Sequence, residues 1–357
     1  MNANLTAWAA TAMAFGVLDT VRGADMTAKL ASSNITADWG ARPLSATSSL
    51  FDPLHYNNGA VRPFVTGFVS LAEYRHHNAS AGLLALRAIA QTGFDHSLGR
   101  NPEVISGRLY KPLDTAVPQQ FFATSMVLTP LIRGLPGIDV DAPHRHVTIA
   151  PHLPPEWDSV AVENVPIGVE QLSFVGRRIG GAVTLAVRHF GPHGAPIDIE
   201  FARALPLGAT VDGDSAILTR TPGDVHASVH APLTDSADLR IAFDGGRFTM
   251  PPKSATDVGS RSSAPRVVSE RLASAAGGVY AVALVGLAGR SYTFLIGAPS
   301  QQSARQLVAR VSNGATVQVE PMSDAGRIRR IAIIFPVTDQ NADGYSASTV
   351  SFTTGVP

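Results

Sequence analysis

The sequence predicts a multidomain α + β protein in which helical hairpins occupy residues 1–138 and antiparallel β-rich domains follow. Three observations carry this. Up to Ile132, apolar residues recur at helical spacing between polar loops. Beyond Asp139 the texture changes to short β-branched runs, parted by Gly, Pro and Asp turns at roughly 8 to 12 residue spacing, the pattern of an antiparallel β-sandwich. Residues 251–265 (PPKSATDVGSRSSAP) have linker composition and divide a sandwich at 139–250 from a second β-rich domain at 266–357.

From Leu5 to Val21 the positions Leu5, Trp8, Ala9, Ala12, Met13 and Gly16 share one helical face, and Ala24 to Leu30 reads as a shorter helix after a break at Gly23. Residues 34–58 lose periodicity and form a long polar and aromatic loop, of the length that usually carries function or is disordered, and its two bulky aromatics argue against disorder. Val61, Phe64, Val65, Phe68, Leu71 and Ala72 mark an amphipathic helix ending near His76, His77 and Asn78, and Ala79 to Leu98 is its partner. Pro118 opens a further helix carrying Phe121, Phe122, Met126, Leu128 and Leu131, closed by Gly134 and Pro136. Strands are expected at 147–149, 160–165, 169–175, 182–187, 197–201, 225–229 and 239–243, then at 279–285, 291–296, 316–319 and 328–335.

Composition narrows the partners. The 357 residues carry 28 basic and 28 acidic side chains with no long run of either sign, so no electrostatic footprint for nucleic acid or an anionic membrane is visible. No apolar run is long enough to span a bilayer, and the N-terminus lacks a basic n-region. With no cysteine, disulfides and thiolate metal sites are excluded. A neutral ligand fits this balance best, and no cofactor is expected.

One polar loop stands out between two apolar helical runs: Arg100 to Tyr110, RNPEVISGRLY. Proline cannot continue the preceding helix, so Glu103 sits on a loop at a helix mouth where its carboxylate can face a pocket. The segments DWGARPLS (38–45), DPLHYNNGAVRP (52–63), NPEVISG (101–107) and DTAVPQQFFATS (114–125), followed by APHLPPEW (150–157) leading into strands, give this loop a context. In this order they resemble the C-terminal part of six-hairpin, or (α/α)₆ toroid, glycosidases of the glycogen-debranching (amylo-α-1,6-glucosidase) type. The resemblance covers roughly residues 5–175 and none of 266–357. It implies a partial toroid and inverting hydrolysis of an α-glucan or other oligosaccharide or polysaccharide, with Glu103 in the place of the general base. Inversion needs a second carboxyl group, the acid, about 6.5–9.5 Å away so that water fits between carboxylate and sugar. No such acid is recognisable. A toroid needs six hairpins and this chain supplies about five helices, so the remaining hairpins and the acid are expected from a missing N-terminal portion or another chain. The competing expectation is a catalytically silent carbohydrate-binding or structural remnant. Arg62 stands where relatives commonly carry tryptophan.

Asp38, Trp39, Tyr56, Asn58, Tyr110 and Gln119 are the candidate substrate-binding residues: carboxylates and amides bond sugar hydroxyls, and aromatic rings stack on sugar faces. For Asp38 and Trp39 the alternative is a buried indole beside a helix-capping carboxylate, and for Gln119 an N-terminal helix residue. His144, Arg145, His146 and His152 bear on metal, but histidines two apart without a companion ligand read as surface residues, and no metal is expected. Asp339 to Gly344 (DQNADG) matches the first half of a calcium loop, yet position twelve is Val350 and the flanks read as strands, so a polar turn is expected.

Overall fold

The computed structural model describes residues 4–95, 97–179, 181–192, 194–212, 216–221, 223–272, 278–321 and 326–354. The chain is a mixed α + β, multidomain protein with N-terminal helices and several β-sheets. Among the described residues no helix is long and apolar enough to cross a membrane.

The N-terminal helices are α1 (Ala9–Ala14), α2 (Thr20–Leu30), α3 (Pro63–Arg75), α4 (Ala79–Thr92) and α5 (Phe121–Thr129), which runs on into a π-helical turn, Pro130–Gly134. The first hairpin differs from expectation. The chain leaves α1 at Gly16 in the left-handed region (φ +72), and α2 restarts at Asp19, whose side chain accepts from the Arg22 amide. Gly23 lies inside α2, since a capping carboxylate upstream outweighs one interior glycine. Helix α3 starts at Pro63, where the missing N–H costs nothing. Helix α4 ends at Thr92, short of the expected Leu98, because Asn101 folds back and its side-chain amide donates to the Ile89 carbonyl at 2.9 Å and to Thr92 Oγ1 at 2.7 Å. His96, within the stretch expected to be helical, lies outside the described residues. Helix α5 begins at Phe121 rather than Pro118, since the Gln120 amide donates to the Asn101 carbonyl (3.0 Å) and stays extended.

Helix α3 is the hub. Val65, Val69 and Ala72 pack on Ala10 and Met13 of α1, Leu30 of α2 and Ala85 of α4. Its Glu73 is fully buried, and neither carboxylate oxygen has a hydrogen-bond partner. Burial pushes this carboxyl well above the usual range.

The first β domain packs a five-stranded sheet (217–220, 225–233, 197–205, 146–149, 138–141) on strands 159–167, 170–179, 182–190 and the start of 236–250. Phe174, Leu185, Ile199, Phe201, Leu239 and Ile241 fill the space between. One pair departs from the antiparallel expectation: His146–Ile149 lies parallel to Asp198–Phe201, which the intervening strands allow as a long connection. The second β domain sets the sheet 266–272, 280–287, 345–354, 307–311 against strands 291–297, 316–319 and 328–334, around Tyr280, Phe294, Ile331, Ile333 and Phe352.

Strand Ser236–Met250 joins the two. Residues 236–242 pair with 182–188, Phe243 to Arg247 pair with 207–211, and Phe248 to Met250 pair with Leu295 to Gly297. The 251–265 stretch has no helix or strand. It is nonetheless tied to the loop between α4 and α5: the Tyr110 amide donates to the Ser260 carbonyl (2.9 Å) and the Gly259 amide to the Tyr110 carbonyl (2.8 Å).

Candidate functional site

The Glu103 loop is built as a rigid rim. Ile105 exchanges backbone hydrogen bonds with Val61 ahead of α3 (2.7 and 2.9 Å), and the Glu103 amide donates to the Val117 carbonyl at 3.0 Å. Gly107 lies so close to Gly59 that a side-chain carbon there would meet the Gly59 carbonyl oxygen at 2.2 Å, so this crossing excludes any larger residue. The two segments that flank the expected sugar site are therefore stitched into one unit.

On that rim Glu103 is half-buried. The Tyr56 hydroxyl donates to its Oε1, while Oε2 receives only a long bond from the Val117 amide (3.4 Å). The Arg62 guanidinium lies 4.2 Å above the Tyr56 ring and holds the phenol by a cation–π contact. Hydrogen bonding to Glu103 pushes the Tyr56 hydroxyl pKa up and keeps it a donor. Asn58 is half-buried in the same turn, where its amide donates to the His55 carbonyl, and Gln119 is exposed beyond the loop.

Three residues expected to line a sugar site face inward instead. Trp39 has no exposed surface: its indole N–H donates to the Ser106 carbonyl (2.8 Å) and its ring stacks on Tyr110 with centroids 5.5 Å apart. Tyr110 is buried too, and its hydroxyl donates to Asp95. With Val61 and Ile105 they form a small core beneath the rim. Asp38 is an anchor. Its Oδ1 accepts from Ser262 Oγ (2.6 Å) and Arg266 Nη2 (2.7 Å), and its Oδ2 from the amides of Ser263 (2.7 Å) and Ala264 (3.0 Å). Donors 224 to 228 residues away cannot be anticipated from the local DWG segment. The DQNADG turn has a similar role: Asp343 Oδ2 meets Arg42 Nη2 at 2.6 Å, and the Asn341 amide donates to Ser33 and Asn34. Of its two carboxylates, Asp343 is occupied by a buried arginine and Asp339 is exposed.

A second constellation lies at the junction of helices and first sandwich, beside a cavity of about 470 Å³. His77 follows α3 with φ +63, His152 lies in the connection after strand 146–149, and Asp224 and His226 open strand 225–233. His77 Nδ1 is 2.8 Å from Asp224 Oδ1 and 3.1 Å from His226 Nε2, which is 3.0 Å from Asp224 Oδ2. His152 Nε2 stands 3.9 Å from Asp224 Oδ2, and both its ring nitrogens are buried without a hydrogen-bond partner. Burial, reinforced by His226, pushes the His152 pKa down to about 3, so it is a neutral imidazole with a free lone pair. Leaving such a group unpaired costs about 1–3 kcal/mol.

His144 and His146, considered with His152 from the sequence, are elsewhere, on Asp141 (2.7 Å) and Asp198 (2.9 Å). Sequence reading missed His77, Asp224 and His226 because they are 72 to 149 residues away from their partners; the only local signal is the Asp-x-His at 224–226. Comparison of the sequence with protein-family models and with curated proteins gave no match.

Proposed function

We propose that this chain carries the base-bearing part of an inverting glycoside hydrolase acting on α-glucan or a related oligosaccharide, its helices forming part of an (α/α)₆ toroid. Glu103 is the general base. The observation that supports this most directly is the state of its carboxylate: fixed on one oxygen by Tyr56 and met on the other, among the described residues, by one long bond from the Val117 amide, at the edge of the loop. A base must hold its orientation while keeping a lone pair for water, and this arrangement does both. Tyr56, Asn58 and Gln119 remain as sugar-contacting candidates; Asp38, Trp39 and Tyr110 brace the rim from below. Asp52 and Asp114, both exposed, are the acid candidates.

Further support comes from an aromatic ridge across the helices. Phe15, Phe68, Phe64, Phe122 and Phe121 follow one another with ring centroids 5.2 to 6.3 Å apart, and Phe15 and Phe121 are 71% and 79% exposed. An exposed ridge of this kind suits a face that further hairpins cover. The same ridge favours the second reading, a silent carbohydrate-binding remnant, if those hairpins bring the acid.

The test is incubation of the chain and of Glu103→Gln with malto-oligosaccharides, following turnover and product anomer by NMR and binding by calorimetry. Hydrolysis with inversion, reduced about 10²–10⁴-fold in Glu103→Gln while binding survives, supports the hydrolase. Binding without turnover supports the remnant. Neither binding nor turnover removes both readings.

A further inference from the structure

We propose that His77, His152, Asp224 and His226 form a binding site for one divalent transition metal ion, with Zn²⁺ the best match. Nitrogen ligands with one carboxylate suit zinc, and four protein ligands are the usual complement of a structural zinc site. The four donor atoms all lie within 4.8 Å of one another. Zinc bonds of about 2.0–2.1 Å in a tetrahedron place ligand atoms about 3.3 Å apart. With Asp224 Oδ2 as the carboxylate ligand, His226 Nε2 is 3.0 Å and His152 Nε2 3.9 Å from it, and His77 Nδ1 is 3.1 Å from His226 Nε2, on either side of that value.

Hydrogen bonding alone leaves this cluster incomplete. His77 Nδ1 and His226 Nε2 converge on the two oxygens of one carboxylate and stand 3.1 Å from each other. His152 points its Nε2 into the same space with no donor or acceptor to meet it. A cation at the common focus takes a lone pair from each ring and gives His152 the partner that it lacks. The surroundings are preorganised as outer-shell support commonly is: Thr221 Oγ1 donates to Asp224 Oδ1 at 3.0 Å and fixes the carboxylate. Gly223 passes so near the His77 carbonyl that a side-chain carbon would meet it at 2.3 Å, holding the two ligand-bearing segments together. The non-glycine positive φ of His77 is the sort of backbone cost retained where surrounding contacts dictate it. Because its ligands come from the end of α3, an inter-strand connection and the sandwich, the ion cross-links the helical part to the first β domain.

The test uses the full chain, stripped with chelator and titrated with Zn²⁺ against a chromophoric competitor and, separately, with Co²⁺. The expected results are a single zinc site, visible absorption bands of tetrahedral Co²⁺, and a higher Tm with zinc present. His226→Ala and Asp224→Ala should each weaken zinc binding at least about 100-fold and abolish the Co²⁺ bands, and Thr221→Val should weaken it about 10–100-fold. His144→Ala should change nothing. Absence of competition and of Co²⁺ bands in the wild-type chain overturns the proposal, as does zinc affinity unaltered in His226→Ala. Should the ligand variants fail to fold, the wild-type Co²⁺ spectrum and stoichiometry decide alone.

Discussion

Replacing Asp38 by alanine separates two roles for the most recognisable sugar-site candidate. The carboxylate accepts from Arg266, Ser262 and the amides of Ser263 and Ala264, and Arg266 has no exposed surface. Arg266 also lies 4.8 Å from the Tyr345 ring, and among the described residues its Nε and Nη1 have no hydrogen-bond partner and Asp38 is its carboxylate counter-charge. Two unit charges about 4 Å apart at an effective dielectric near 20 attract by about 4 kcal/mol, and breaking a buried pair from one side typically costs about 3–5 kcal/mol. Asp38→Ala should therefore lose about 3–5 kcal/mol in urea unfolding followed by far-UV circular dichroism. Trypsin should also cut faster at the exposed Lys253 and Arg261, in the segment that Asp38 pins. Adding Arg266→Met should recover at least about 2 kcal/mol, because an apolar replacement of a buried pair is often neutral or better. An Asp38→Ala protein within about 1 kcal/mol of wild type, or a double variant no more stable than the single, would refute the anchor. Lost sugar binding with unchanged stability would return Asp38 to the ligand site.

Two further outcomes follow from particular side chains. Glu73 is raised by burial, so the unfolded chain releases its proton from about pH 4.3 upward while the folded chain keeps it; wild type loses stability as pH climbs from there towards the raised pKa. Glu73→Gln should thus raise Tm at pH 8 relative to wild type and much less at pH 5, and an equal difference at both pH values would count against it. The aromatic ridge predicts that Phe121→Ser with Phe122→Ser lowers dye binding to exposed apolar surface and shifts sedimentation towards monomer at high concentration. A wild-type chain that is monomeric and dye-silent throughout would remove that expectation.

Much of the architecture was legible because local patterns cause it. The i, i+3, i+4 apolar spacing of Val61 to Ala72 marks α3 as a helix and Pro63 sets its start, although α3 is buried on more than one face, Thr66, Ser70 and Glu73 included, and leaves Phe64 and Phe68 half-buried. Alternation in runs such as 182–187 and 291–296 dictates strands in the same way. Element ends were harder. Thr92 and Phe121 are set by Asn101, which bonds the end of one helix and restrains the start of the next.

The sequence by itself determined the helix-then-strand order, the polar loop between α4 and α5 and the place of Glu103 upon it, because proline chemistry and hydrophobic period act over a few residues. Only the tertiary structure decided which polar groups face solvent. Asp38 and Trp39 are as polar and aromatic as any sugar-binding pair, yet donors more than 200 residues downstream and the Ser106 carbonyl take up their hydrogen bonds. His77, His152, Asp224 and His226 meet for the same reason in reverse: each is unremarkable in its own segment, and the packing of sandwich on helices brings them together.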